Sequence, residues 1–361
     1  MNPIFWETVG HISNVTRPCW LWIPKNSEPI LLTSYVDKGR FSSLDIKVIS
    51  FINREEMIES LSTILSDQNR ILMEYSPSNL LPRVSKVDAG TIELVKQFGV
   101  EIIPSGNIIQ YATQRWTIQQ LQSHREAAES LTSIVHDTFT HIADNLPLSI
   151  KEHEISDYIL YKADEKSLLM PDGPVVAINE HSSDPHFHPT IENSKTVRIG
   201  DWILIDLWAR VSGNDTMFAD ITWTGFVGDD IPDPYLKIFK IVVGARDKAL
   251  SSIDTAFKLN TAIAGWEVDK VARDYISESG YGEFFRHRLG HSLGHEAHGN
   301  AVNLDNWETT DTRPLIPGIA ITIEPGIYLP KFGVRSEIDV YLSEDGPEVT
   351  TTPQTQVVLI N

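Results

Sequence analysis

The run Ile203 to Leu207 reads ILIDL and so sets a carboxylate, Asp206, inside a strand that is otherwise apolar on both faces. A buried carboxylate is costly unless it has a partner, a proton or a cation. Asp220, in FADITWT, has the same character fourteen positions later (220 − 206). Asn214 with Asp215, in the SGND run between them, supplies a turn that folds the two strands antiparallel and brings the acids side by side. Toward the C-terminus the anomaly recurs. Ile319 to Ile323 leads straight into Glu324, and thirteen residues on (337 − 324) Glu337 reads as lying within the strand VRSEIDV. Pro325 and Gly326 force a bend after the first of this pair. Any one of these acids is equally well read as a hydrogen-bonded core or strand-end acid. Four in two pairs are harder to satisfy, because few cations lie near them. Arg335 is the basic residue that strand alternation brings onto the Glu337 face.

Four carboxylates match the charge of two divalent cations. Between the pairs lies Arg286 to Gly299, RHRLGHSLGHEAHG, which holds four histidines and three glycines. Oxygen donors with one imidazole from this stretch suit Mn²⁺, Co²⁺, Fe²⁺ or Zn²⁺, with Mn²⁺ the first expectation. Two such ions about 3.5 to 4 Å apart share bridging acids and a hydroxide, giving a nucleophile at neutral pH and a Lewis acid for a carbonyl oxygen. The chemistry implied is metal-assisted hydrolysis. A zincin reading of HEAH, His295 to His298, fails because its histidines stand at i, i+3 where H-E-x-x-H needs i, i+4, and Gly290 and Gly294 weaken a helix. Cys19, the single cysteine, excludes an intrachain disulfide and a thiolate zinc cluster, and fits a reducing cytoplasm.

Along the chain the pattern changes once. Trp20–Ile23, Ile30–Leu32, Lys47–Phe51, Arg70–Met73 and Glu101–Ile103 read as strands, with helices at Arg54–Leu65 and Ala89–Phe98. Residues 1–115 are thus a small α/β domain without a phosphate loop or clustered ligands, read as structural or substrate-shaping. From Thr117 apolar residues recur at helical spacing: Ile118, Leu121, Ala128, Leu131, Val135, Phe139 and Ile142. A helix at Glu152–Lys166, a strand at Val175–Ile178 and strands at Trp202–Trp208 and Phe218–Phe226 follow. The order then repeats, with helices at Tyr235–Ile253 and Trp266–Ser279 and strands at Ile319–Ile323 and Arg335–Leu342. Helix, helix, strands appearing twice predicts an α+β domain over 116–361 with a pseudo-twofold, its sheet between two layers of helix.

With 30 basic against 49 acidic residues the net charge is −19, which argues against nucleic acid or an anionic membrane surface as partner. No run has the length and apolarity of a signal peptide or a membrane span, so a cytoplasmic protein is expected.

PHFHP, GDWILIDLWA, FADITWTGFVG, HRLGHSLGHEAHG, LIPGIAITIEPGIY and GVRSEIDVYL, in that order, resemble the creatinase/aminopeptidase P family. These pita-bread metallohydrolases include Xaa-Pro aminopeptidases, prolidases and methionine aminopeptidases. The resemblance runs from Thr117 to the end. The first domain is similar to the one that precedes the catalytic domain in the Xaa-Pro branch, with its initial helix and strand expected to be missing, which leaves the natural start open. The resemblance implies Asp206, Asp220, His291, Glu324 and Glu337 as ligands to two divalent metals, with Asp220 and Glu337 bridging. Glu324 is also the implied general base. His298 and His186 are implied to bind the scissile carbonyl or the tetrahedral intermediate, Arg335 matches the arginine two before the last ligand, and Thr222 the threonine two after the second aspartate. The activity implied is hydrolysis of Xaa-Pro bonds in proline-containing peptides or dipeptides, by a homodimer.

Three positions depart from the family pattern. Ser292 replaces a glycine after the metal histidine, Gly299 replaces an acid after the substrate histidine, and the two aspartates stand three residues further apart. These departures put the pocket beside His298 in question, not the metal centre. A metal-independent amidinohydrolase of the creatinase kind, or a non-catalytic peptide-binding protein on the same fold, is the alternative; the complete ligand set argues against the first. His287, His295 and His188 read as supporting or surface residues, His181 and Asp184 as loop polarity, and Trp202, Trp208 and Trp223 as core.

Overall fold

The computed structural model describes residues 2–10 and 12–361, which divide between Thr113 and Gln114 into two units. The first holds α1 (Pro3–Val9), β1 (Cys19–Trp22), β2 (Ile30–Ser34), β3 (Lys47–Phe51), α2 (Arg54–Leu65), β4 (Arg70–Met73), α3 (Ala89–Lys96), β5 (Glu101–Pro104) and α4 (Gly106–Thr113). Strand β2 pairs antiparallel with β1 and parallel with β3, and β4 pairs parallel with β5. Asn53 starts α2 by accepting from the Glu56 amide at 2.9 Å, and the stripe Met57, Leu61 and Leu65 then turns inward. Helices α1 and α4 add to the elements read from sequence.

In the second unit the capping pair at Thr117 and Gln120 starts α5 (Ile118–Asn145) by satisfying two orphan donors reciprocally. Next come α6 (Glu152–Glu165), β6 (Leu168–Leu169), β7 (Val175–Ile178), β8 (Trp202–Val211) and β9 (Ala219–Val227). Ala127, Leu131, Ile134, Val135 and Ile142 of α5 pack with Ile155 and Ile159 of α6 onto Ile203, Ile205, Leu207, Ala219 and Ile221. That is one face of the β8–β9 hairpin. The opposite face carries the acids.

The second half contains α7 (Asp233–Lys258), α8 (Gly265–Glu278), β10 (Ser292–Leu293), β11 (Ala320–Ile323), β12 (Gly326–Leu329), β13 (Phe332–Arg335), β14 (Ile338–Ser343), β15 (Gly346–Val349) and β16 (Val358–Ile360). Its core packs Val242, Ala245, Ala249, Val268 and Ala272 of the helices against Ile321, Ile323, Ile338 and Val340. The strand orders are β16-β9-β8-β6 with β7 also on β8, and β10-β11-β14-β15, with β12 and β13 a separate hairpin. Strand β16 returns to pair parallel with β9, joining Val358–Ile360 to Gly225–Val227.

One expectation is corrected. Arg335–Leu342 is not a continuous strand: Ser336 and Glu337 form a break between β13 and β14. The chain exchanges partners there, since β13 pairs with β12 while β14 pairs with β11. Glu337 therefore sits at a junction. Among the described residues no helix is long and apolar enough to cross a membrane.

Candidate active site

In the β8–β9 register Asp206 stands opposite Thr222 and Trp208 opposite Asp220, so the acids are diagonal neighbours on one face. Both are buried. Glu324 follows β11 directly, its amide donating to the Leu289 carbonyl at 2.8 Å. The Glu337 amide donates to the Thr222 carbonyl at 3.4 Å, which joins the second half to the hairpin of the first.

His291 comes from the glycine-punctuated stretch. A Cβ on Gly290 would stand 2.1 Å from the Thr322 carbonyl oxygen, so only glycine lets the backbone pass this close to β11. The His291 amide donates to Thr322 Oγ1 at 3.0 Å, and Nδ1 meets the Ser292 carbonyl at 3.2 Å. A carbonyl only accepts, so this contact puts the proton on Nδ1 and leaves the Nε2 lone pair toward the acids. Nε2 lies 3.4 Å from Glu324 Oε1 and 3.8 Å from Asp220 Oδ2. Donor atoms of Asp220, His291 and Glu337 all lie within 4.8 Å of one another. Asp220 Oδ1 is buried without a hydrogen-bond partner.

Such a cluster repels itself. Burial, then the neighbouring acids, push the Asp220 and Glu337 carboxyls well above the usual range. Burial likewise pushes Glu324 up to about 7, against the pull of Arg335. An acceptor-only lone pair facing crowded carboxylates, with an unpartnered buried oxygen among them, is a donor set for cations.

Arg335 is the buried cation of the site. Its Nη2 pairs with Asp206 Oδ2, Nε donates to Thr222 Oγ1 at 3.0 Å, and Nη1 donates to Tyr328 Oη at 3.0 Å. Having accepted from Arg335, the Thr222 hydroxyl lies 2.7 Å from Glu337 Oε2 and 3.1 Å from Asp206 Oδ1. It has one hydrogen to give, and the shorter contact directs it to Glu337.

Strand alternation on β12 carries Tyr328 to a role the sequence did not reveal. His287 Nδ1 meets the Arg288 carbonyl at 2.6 Å, so Nε2 accepts from Tyr328 Oη at 2.8 Å. Burial and the nearby Arg335 hold this imidazole down at about 3, and burial raises the Tyr328 phenol to about 12. A neutral His287 thus braces Tyr328 against Arg335.

A cavity of about 440 Å³ opens over these residues, and His186, His188, His298 and Trp208 also line it. The His298 and His291 rings meet edge to face, centroids 4.3 Å apart. Trp202 and Trp223 are core, as expected; Trp208 is half-buried, packing against the clusters that hold Phe218 and Leu204 while also lining the cavity. Ser292 is buried, its hydroxyl donating to the Ala301 carbonyl at 3.2 Å and its carbonyl accepting from the Gly299 amide at 2.7 Å. A Cβ at Gly299 would stand 2.9 Å from the Leu293 carbonyl oxygen and 3.0 Å from Ser292 Oγ. The two departures are therefore neighbours in one tight crossing beside His298. The longer hairpin also docks here, the Phe218 amide donating to the Gly294 carbonyl at 2.9 Å.

The sequence profile of Metallopeptidase family M24 matches residues 122–344. The chain belongs to metallopeptidase family M24. Membership makes it a metal-dependent hydrolase of the peptidase class. An uncharacterized peptidase of Bacillus subtilis is 30% identical over 267 residues, 72% of this chain and 68% of that protein. Another, of Staphylococcus epidermidis, is 27% identical over 344 residues, 92% of this chain and 87% of its own length. Among solved structures of the M24 fold, an X-Pro aminopeptidase of Thermotoga maritima aligns with TM-score 0.59 and 26% identity, covering 94% of this chain and 90% of that one. A prolidase of Pyrococcus horikoshii aligns with TM-score 0.63 at 24% identity over 99% and 94%, a likeness of fold. The architecture is accordingly the M24 pita-bread domain preceded by a smaller α/β domain.

Proposed function

We propose that this M24 enzyme is a dinuclear metallopeptidase that hydrolyses Xaa-Pro bonds, as an aminopeptidase or a dipeptidase. The observation that carries the reading is the cluster of Asp220, His291 and Glu337 donor atoms within 4.8 Å, with Asp206 and Glu324 completing the lining of the same cavity. The likeness to the Thermotoga maritima X-Pro aminopeptidase supports the substrate class.

Asp206, Asp220, His291, Glu324 and Glu337 would hold two divalent cations, Mn²⁺ first among the candidates. When bound, the pair supplies a hydroxide nucleophile at neutral pH and polarises the scissile carbonyl. The protein's own work is proton transfer, orientation and charge. Glu324 would take a proton during attack and return it to the leaving nitrogen. His298 and His186 donate hydrogen bonds to the carbonyl oxygen as charge develops on it. Arg335 holds Asp206 and orients Thr222 toward Glu337.

Assay of Xaa-Pro dipeptides and longer Xaa-Pro peptides with Mn²⁺ or Co²⁺, alongside metal analysis, tests the reading. Turnover with two equivalents bound is expected. Failure to cleave any Xaa-Pro substrate with two metals in place overturns it.

A further inference from the structure

Glu152 lies at the start of α6, fully buried. A carboxylate in that position needs donors, and it has three. The Ile178 amide, at the end of β7, donates at 2.7 Å, the Lys195 amide at 2.7 Å, and His181 Nδ1 stands 2.9 Å from each carboxylate oxygen. The two amides close the chain around the acid and would do so whatever occupied position 181. The imidazole is different. It sits in the short turn Asn179–Ser183, and its outer face stacks on Phe187, centroids 4.2 Å apart and planes 26° apart.

Phe187 lies between His186 and His188, both of which line the cavity. On the other side the turn is tied to the β12–β13 hairpin that carries Arg335. The Gly333 amide donates to Ser182 Oγ at 2.8 Å, and a Cβ on Gly333 would stand 1.9 Å from the Ser182 carbonyl oxygen. The loop beyond it has ties of its own: the Phe187 amide donates to the Asp184 carbonyl at 3.2 Å, and the Phe187 ring also packs on Val175, Ala177 and Leu204. The His186 amide donates to Asp184 Oδ1 at 3.0 Å, and Arg335 Nη1 approaches the Pro185 carbonyl at 3.4 Å. His186 is exposed, so the lateral placement of its ring depends on what holds Phe187. His181, expected as mere loop polarity, is what touches Phe187 and a buried charge at once.

We propose that Glu152 and His181 form an acid–imidazole brace that fixes Phe187, and through it the His186 loop, over the cavity; both are positioning residues for hydrolysis. The inference rests on the reading of His186 as a substrate-side donor. The carboxylate holds the imidazole plane, the plane holds the phenyl ring, and the ring sets where His186 can reach.

Kinetics of His181→Ala, His186→Ala and the double variant in the metal-loaded enzyme test it. His181→Ala is expected to lower kcat roughly tenfold with KM within about twofold, since a misplaced catalytic group costs rate more than binding. In the His186→Ala background the same change should cost nothing further. His181→Asn, which keeps a donor near Nδ1 but loses the stack, and His181→Phe, which keeps the stack but loses the donor, should each recover part of the loss. Bound metal should stay at the wild-type level throughout. Unchanged kcat in His181→Ala, or losses that multiply in the double variant, overturns the brace. If the wild-type enzyme cleaves no Xaa-Pro peptide, the functional reading fails instead, and the two failures are distinguishable.

Discussion

In the first half of the catalytic unit both acids stand inside continuous strands, Asp206 in β8 and Asp220 in β9. In the second half Glu324 and Glu337 stand in the short gaps where the chain leaves one ladder for another. The first half thus presents its carboxylates on a rigid hydrogen-bonded surface, close to the backbone. The second half uses the longer glutamate arm and holds its junctions by separate bonds, the Glu324 amide donating to the Leu289 carbonyl and Arg246 Nη1 donating to Ser336 Oγ at 2.8 Å. Neither half closes the cage alone. The second half reaches into the first at three points: Arg335 on Asp206, Asp339 accepting from the Asp220 amide at 2.9 Å, and the Glu337 amide on the Thr222 carbonyl.

Removing one acid from each half tests this interdependence most severely. Asp220→Ala and Glu337→Ala should each lose bound metal and lower kcat/KM on the order of 10³-fold. Full metal content in either variant would break the equivalence of the halves. Next in size is the cation between them. Arg335→Met leaves Asp206 buried without its partner and should cost the metal-free protein about 3 to 5 kcal/mol by urea denaturation; a loss below about 1 kcal/mol, the scale of an exposed ion pair, would show that Arg335 is not what joins the halves.

The third test concerns His124 of α5, which spans the same seam. Its Nδ1 meets the Phe218 carbonyl at 2.7 Å and its Nε2 accepts from Thr350 Oγ1 at 2.6 Å. Burial lowers this imidazole to about 4. The unfolded chain takes up its proton near pH 6.5 and the folded chain only near 4, so between those values the unfolded state binds more protons and stability falls as pH falls. The loss across that window is on the order of 3 kcal/mol. His124→Gln keeps a donor and an acceptor without titrating, and urea midpoints across pH should show a flatter dependence than wild type. An equal slope in both would remove His124 from the account.

Smallest is Asp339→Asn. Burial holds the Asp339 carboxyl well above its usual range, which favours its neutral form. The amide oxygen of asparagine can still accept from Asp220. Stability and metal content should stay within about 1 kcal/mol and the wild-type stoichiometry; a large loss would mean that the second half supplies a charge behind Asp220.

Asp206 and Asp220 were legible because strand alternation makes an acid in ILIDL conspicuous. The same rule places Trp208, two positions from Asp206, on the acid's face. Glu337 was misread as a strand residue because the break at 336–337 arises from a choice of partners, β12 for one strand and β11 for the next, which no local pattern records. The β12–β13 hairpin hid Tyr328 and His287 as well, since their contact depends on that hairpin facing a stretch forty-one residues away (328 − 287). His181 and Glu152 meet across twenty-nine positions (181 − 152), and a lone polar residue in a loop gives no sign of a distant buried charge.

The return of β16 to β9 bears on how the enzyme is made. Gly225 must wait for Val358, 133 residues further along (358 − 225), before its open ladder is filled. A nascent chain that has completed the β8–β9 hairpin has two aspartates in place but no His291, no Glu337 and no strand to cover its edge. Closure of so long a loop is slow and comes late. The donor set from Asp206 to Glu337 is therefore complete only after both halves have been made, and the β9 edge stays open until β16 reaches it.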